Sequence, residues 1–529
     1  MSAGTYDVVV IGGGANGLTA AATLGRAGRR VLLVEGDAEL GGQARVIEFA
    51  PGFRAAPLGQ DPGWIPETVA RALGMNGLER LAADPGIAVR ADGTYLTLPR
   101  DAARAADAIR VHSPSDAAKW PEFTSRLRKL AGFLETLYTT PAPDISASSL
   151  GELLPLLSVG RKFRALGRRD MVEFLRTLPL SAWELADDWF ECAPIKAAIA
   201  AAGVQHHQQG PRSGGTGFVL LHHLIGAPAG ALRGRSPWRS GPGAFAKAAE
   251  AAARRQGVEI RTNARVGRVE VRDDAVAGVV LRNGEEIAAR AVLSTANPAA
   301  TLLDWVDPVW LDPEFLLAVG NIRHRGSTAF VLYALDVLPD FPGLSSKEAL
   351  AGIVSLTPSV REIEQAADAA KFGMVSEHPH VELWAPTLHW PDLAPGRHVI
   401  VARAQHAPYR LRDGAEWNRT AREDLANRVT AAIEGAAPAF SAHVLHHAVL
   451  TPRDLEERFG LREGAFSQGE LGLDQILFMR PIAGWGNHAT PITGLYLGGA
   501  GTHPGPGILG GAGWLAGRQL LADLRRRSQ

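Results

Sequence analysis

Gly12, Gly14 and Gly17 stand in the spacing G-x-G-x-x-G, and an acid, Glu35, follows 18 residues beyond the last of them. Glycines so placed do three jobs. The first allows a tight turn, the second lets a pyrophosphate approach the backbone, and the third lets a helix pack against a strand. An acid at that interval suits the ribose hydroxyls of the same ligand. Ala15 and Asn16 fall at the entrance of the helix, where free N–H groups attract phosphate. Gly41 and Gly42 form a second point of backbone approach, and Arg45 offers a cation to the diphosphate. The chemistry these residues point to is dinucleotide binding. Glu35 argues against a 2′-phosphorylated ribose, because like charges repel.

The other end of the chain carries a second concentration of glycine, nine in the twenty residues from Gly498 to Gly517. No helix needs so many, so this segment must let its backbone touch something flat or bulky. Gly499, Ala500 and Gly501 make a turn, and Gly507, Ile508 and Leu509 lead into a helical pattern ending at Arg525-Arg526-Arg527. The amino end of that helix would offer partial positive charge to a ligand carbonyl and stabilise an electron-rich reduced flavin. His503, inside the same loop, could orient a substrate or move a proton. The competing reading is a loop histidine bonded to backbone. His206 and Gln208 are weaker candidates of the same kind.

These residues need a scaffold. Tyr6–Ile11 reads as a buried parallel strand, Leu18–Leu24 as a helix of small residues, and Val31–Val34 as a second strand. Gly257–Ile260 and Arg265–Val271 read as strands, Asp273-Asp274 and Asn283-Gly284 as hairpin turns, and Ala291–Asn297 as a strand rejoining the main sheet. Gly494–Leu497 is a further short strand. Asp116–Leu137 and Asp170–Leu185 read as helical. No second strand–glycine–helix unit occurs, so a separate NAD(P)-binding domain is not expected.

Composition narrows the field. Lys+Arg and Asp+Glu are both 55, a balance that argues against nucleic acid as a partner. Cys192 is the one cysteine, which excludes an internal disulfide, a CxxC redox pair and Cys-rich zinc or iron–sulfur sites, and fits a reducing, cytoplasmic setting. The pairs His206-His207, His222-His223 and His446-His447 have poor chelating geometry if on strands, so no metal is expected. Val8 to Gly25 is uncharged but broken by glycines after Ile11, as in a strand–turn–helix, not a membrane span. Met1–Thr5 carries no secretory pattern. Glu152–Arg164 mixes leucines with basic residues, so peripheral membrane contact stays open beside a core-packing helix.

The segments VVVIGGGANGL, SGPGAFAKAAEAAARRQGVEI and GLYLGGAGTHPGPGILGGAG make the chain resemble the phytoene desaturase-related flavoproteins. That family includes bacterial phytoene desaturases, desaturase-like carotenoid ketolases and the pyridine nucleotide-disulphide oxidoreductase domain-containing protein 2 branch. GFVLLHHLIG, APGRHVIVARAQHAPY and TPRDLEERFGL extend the likeness over nearly the whole chain. The resemblance implies noncovalent FAD and an α/β fold, with a Rossmann-type FAD-binding domain and a discontinuous α+β substrate domain as in monoamine oxidases. The expected division is 1–69, 236–304 and 451–529 for FAD, and 70–235 and 305–450 for a substrate cap. The residues that match family FAD contacts are Gly12, Gly14, Gly17, Glu35, Gly42, Arg45, Val266 and Gly499–Gly501. Ala55–Gln60 departs from the acidic-glycine pattern of the carotenoid enzymes, which weakens the transfer of their substrate to this chain.

The reading that follows is an FAD-dependent oxidoreductase. It would transfer hydride between flavin and a C–H or C=C of an apolar, lipid-like or polyene-like small molecule, with oxygen, a quinone or another acceptor taking the electrons. Two alternatives stay open: redox-neutral double-bond isomerisation, and a flavin-stabilised binding or assembly protein without turnover. A homodimer is an open expectation.

Overall fold

The computed structural model describes residues 5–59, 61, 63–75, 78–81, 85–142, 150–228, 230–232 and 236–527, with backbone alone at 150–156 and 527. Two seven-stranded sheets organise them. Strands and helices are numbered along the chain.

In the first sheet Tyr6–Ile11 (β1) lies between Val31–Val34 (β2) and Glu286–Ser294 (β10), parallel to both. Glu259–Arg261 (β7) extends the sheet beyond β2, and Leu495–Leu497 (β16) adds in parallel to β10. Val266–Arg272 (β8), Ala275–Leu281 (β9) and the start of β10 form an antiparallel meander. The turn at Asp273-Asp274 has φ of 50° and 58°, the left-handed pair a tight hairpin needs. β10 therefore leaves the meander and becomes a central parallel strand. Its strand geometry ends at Ser294, three residues before the expected Asn297.

Side chains of β1 alternate between two cores. Val8 and Val10 pack against Ala15–Arg26 (α1), Ala244–Arg255 (α5) and Gly511–Arg527 (α7). Val9 and Ile11 pack against the meander. The helices come close because small residues line their contact. A Cβ on Gly17 would lie 1.8 Å from the Gly12 carbonyl oxygen, and one on Gly513 would lie 1.9 Å from that of Asn16. Both positions exclude any side chain.

The second sheet runs in the order Val444–Leu450 (β15), Thr328–Leu335 (β11), His398–Gln405 (β14), His380–Trp384 (β13), Ile353–Ser355 (β12), Ile87–Ala91 (β5), Thr94–Leu98 (β6). Ile47–Ala50 (β3) and Phe53–Ala55 (β4) form a separate hairpin that shares a core with Phe330, Leu332 and Trp384. Pro114–Tyr138 (α2), Ala193–Gly203 (α3) and Thr216–His223 (α4) build a helical layer against β5 and β12.

The helix expected over Asp170–Leu185 is two, Arg168–Thr177 and Ala182–Asp187. Pro179 cannot continue the first, and Ser181 starts the second with a reciprocal capping box to Glu184. Leu150–Ala165 is helical; the expectation for Glu152–Arg164 falls partly outside the described side chains. In the described part Leu157 is exposed, while Val159 and Phe163 pack on the helical core. Among the described residues no helix is long and apolar enough to cross a membrane. His222 and His223 sit on α4 and not on a strand, and no group of three or more described His, Cys, Asp or Glu could hold a metal.

Candidate functional site

A cleft of about 560 Å³ opens at the carboxyl ends of β1, β2 and β10. This is where open α/β sheets place ligands. The loop after β1 supplies one wall. Gly14 is the N-cap of α1 and has no side-chain cap, so the first N–H groups of the helix are left for a ligand. The Gly41 N–H donates to the Gly13 carbonyl at 2.9 Å, which holds the second glycine turn against the first. Glu35 ends β2 on the cleft wall. Its carboxylate accepts from the Gly13 N–H at 2.7 Å and the Asp37 N–H at 2.9 Å, so the acid is oriented before any ligand arrives.

Of the residues singled out in the sequence, Gly12, Gly14, Ala15, Asn16, Glu35, Gly41, Gly42, Val266, Ala500, Gly507, Ile508 and Leu509 line this cleft. Gly17 stands behind it, serving the helix approach described above. Gly499 and Gly501 are also behind the wall. A Cβ on either would fall 2.4 Å from the Thr295 carbonyl oxygen and Pro298, respectively.

Arg45 is placed differently from expectation. Its guanidinium pairs with Asp37 at 2.8 Å, bonds the Arg458 carbonyl and lies over the Phe459 ring, so it ties the cleft rim together without lining it. Arg265, Arg282, Arg458 and Arg462 line the cleft instead. Two of these are paired, Arg265 with Asp37 at 2.9 Å and Arg462 with Asp304 at 2.7 Å.

His503 is fully buried and off the cleft wall. Its Nε2 donates to the Thr140 carbonyl at 2.9 Å, beyond the end of α2. Burial, reinforced by neighbouring His488 and Arg480, pushes its pKa down to about 3. A neutral ring bonded to backbone fastens the loop. It is not set up to exchange protons near neutral pH.

The sequence reading missed the wall contributed by Glu456–Arg462 and Phe466. Glu456–Phe459 are the last turn of Pro452–Phe459 (α6), and Gly460–Arg462 and Phe466 follow it. α6 is fixed at its start by a capping box between Thr451 and Asp454, and by the Arg422 guanidinium on the Asp454 carboxylate. Burial works to raise the Asp454 pKa, but hydrogen bonds from Arg422 and Thr451 outweigh it and hold the carboxyl below its usual range. Because the folded value is depressed, this stabilisation is complete above the unfolded value of about 3.9 and is lost as pH falls through the lower folded value. Asp454→Asn is expected to cost about 1–3 kcal/mol at pH 7. Equilibrium denaturation at decreasing pH should show that gap closing in acid.

Phe466 is where the cleft meets the second sheet. Its ring stacks on His206 with centroids 3.9 Å apart and 16° between planes, and lies 6.2 Å from Phe330 of β11. The Gln43 side chain donates to the Phe466 carbonyl at 2.9 Å, joining this wall to the second glycine turn. His206 itself has Nδ1 3.3 Å from Thr328 Oγ1, one ring behind the wall.

The cleft suits a flavin adenine dinucleotide on its own geometry: an uncapped helix start, an oriented carboxylate beyond β2, and a lining that adds arginines and aromatic and aliphatic side chains. Residues 16–351 match the flavin containing amine oxidoreductase family. The chain belongs to that family. A pyridine nucleotide-disulfide oxidoreductase domain-containing protein 2 of Rattus norvegicus is 32% identical to it over 98% of this chain and 94% of the relative. The lycopene-forming phytoene desaturase of Pantoea ananas is 26% identical over 97% of this chain and 99% of its own. A putrescine oxidase structure superposes with a TM-score of 0.58 at 15% identity, covering 99% of each chain. The fold is thus the α/β fold of the flavin amine oxidases, the family is the desaturase-related one expected from the motifs, and this flavin amine oxidoreductase is an FAD-dependent enzyme.

Proposed function

We propose that the enzyme moves a hydride between FAD and a C–H or C=C bond of an apolar substrate. One observation carries this reading. The cleft lining includes Leu58, Phe459 and Phe466, which share an apolar cluster with Phe330, Leu332 and Trp384 of the second sheet. A surface of that kind desolvates a hydrocarbon and excludes water from the reacting bond. The relative from Pantoea ananas is named for desaturating phytoene, which agrees with a substrate lacking polar handles.

FAD, when bound, supplies the two-electron chemistry. The α1 amino end, Glu35 and the second glycine turn would hold it, and Phe466 would offer an apolar surface to the substrate. Oxidation of a C–H bond would deliver two electrons with the hydrogen, and the reverse direction would saturate a double bond. The expected result is bleaching of the oxidised flavin band when an apolar alkene or polyene is added without oxygen, and recovery of the band when oxygen or a quinone is admitted. A flavin that stays oxidised against the whole apolar series, in a protein with full FAD content, would sink the proposal.

A further inference from the structure

Arg480 is 1% exposed, and among the described residues no carboxylate pairs with it. Its guanidinium is spent on backbone carbonyls. Nε and Nη2 donate to Ala500 at 3.2 and 2.8 Å, Nη1 to Gln475 at 3.2 Å, and Nη2 also to Ser467 and to Gly469 at 3.2 Å. Carbonyl dipoles solvate a cation without cancelling its charge. Burial lowers its pKa, but only to about 10, so the charge persists at neutral pH.

The groups around it carry no compensating charge. Burial drives His503 to about 3 and both His488 and His324 to about 4, so all three rings are neutral. Burial raises the Tyr138 hydroxyl, which keeps its proton. A lone buried charge is costly, and such groups concentrate at functional sites. The cost makes sense in view of what lies above. Ala500 and Gly505 both line the cleft, and a Cβ on Gly505 would be 3.8 Å from Arg480 Nε. The cation therefore sits one peptide layer behind the cleft wall formed by Ala500 and Gly505.

We propose that Arg480 sets the redox potential of the bound flavin, its fixed positive charge stabilising the negative charge the isoalloxazine gains on reduction. The inference rests on FAD occupying this cleft with its ring over Ala500 and Gly505. Arg480 acts through space and through the Ala500 peptide, so it is a positioning residue and not a catalytic one. Two electrons entering the ring with a single proton leave it an anion, and that anion completes the ion pair the protein lacks.

The test uses the FAD-loaded enzyme and its Arg480→Lys and Arg480→Met variants, with FAD content measured first. Arg480→Met is expected to disfavour reduction at least tenfold, about 30 mV for a two-electron couple. It should also weaken sulfite addition to the flavin at least tenfold, while Arg480→Lys stays near wild type in both. A wild-type potential in Arg480→Met, or equal shifts in both variants, overturns the proposal. If Arg480→Met does not hold FAD, the reduced wild-type enzyme decides. An anionic reduced-flavin spectrum at pH 7 supports the assignment, and a neutral one overturns it. Failure of the FAD assignment itself would look different, as a colourless wild-type protein.

Discussion

Glu35→Arg is expected to yield a folded but colourless protein. The carboxylate closes the far end of β2 on the cleft wall and is already held by the Gly13 and Asp37 N–H groups. The residue lines the cleft, where the ribose hydroxyls of FAD would donate to its carboxylate. Hydrogen bonds to a charged partner contribute about 1.5–3 kcal/mol each, so losing two would weaken FAD binding by roughly 10²–10⁴-fold. Arginine also places bulk where the ribose must lie and leaves two backbone donors without their acceptor. The measurement is flavin absorbance per protein after gel filtration, with circular dichroism to show that the fold survives. Glu35→Gln, which keeps one acceptor oxygen, should fall between the two. A folded Glu35→Arg protein with full flavin content would show that the ribose sits elsewhere.

The second large effect is expected in the middle of the other sheet. Phe330, Arg403, Glu382 and Ser355 lie side by side across four strands. Glu382 is 1% exposed and Arg403 3%, and their side chains form a buried ion pair flanked by His380 at 3.8 Å from Glu382 and His206 at 3.5 Å from Arg403. Removing one partner strands the other charge in a medium that cannot solvate it, at a cost of about 3–5 kcal/mol. Glu382→Gln should therefore lower the thermal midpoint sharply. Glu382→Leu combined with Arg403→Met removes both charges, and should recover most or all of the loss. A double variant as unstable as the single one would mean that the pair contributes through specific bonds and not through mutual neutralisation.

How much was legible follows from locality. Gly12 to Asn16, Glu35 and Gly41-Gly42 are set by a strand–turn–helix–strand of some forty residues, and their spacing has one geometric solution. Val266, Ala500 and Gly507–Leu509 were legible only through family likeness and glycine density. Arg45 follows the second glycine turn as expected, but Asp37 on a neighbouring turn holds its charge off the cleft wall, a competition that spacing does not reveal. His503 was in the right loop, yet its direction depends on where α2 ends more than 360 residues earlier. Phe466 carries no motif, and Glu456–Leu461 falls in a stretch legible only as family likeness, with nothing to mark it as cleft wall. They reach the wall because Thr451, Asp454 and Arg422 fix the angle of α6, a tertiary arrangement with no sequence period. Arg480 is the same case in the extreme: one arginine among many, distinguished only by what surrounds it.

The contact between Asn16 and Gly513 has a biosynthetic consequence. The Gly513 N–H reaches the Asn16 side-chain oxygen at 3.4 Å, so the amino end of α7 is seated on the amino end of α1 across almost the full length of the polypeptide. Asn16 is synthesised 497 residues before Gly513. Until the second stretch has been made, a nascent chain can offer the nucleotide half of the ligand only an open trough. Removing α7 would leave every glycine of the first motif in place and take away the helix seated on its turn.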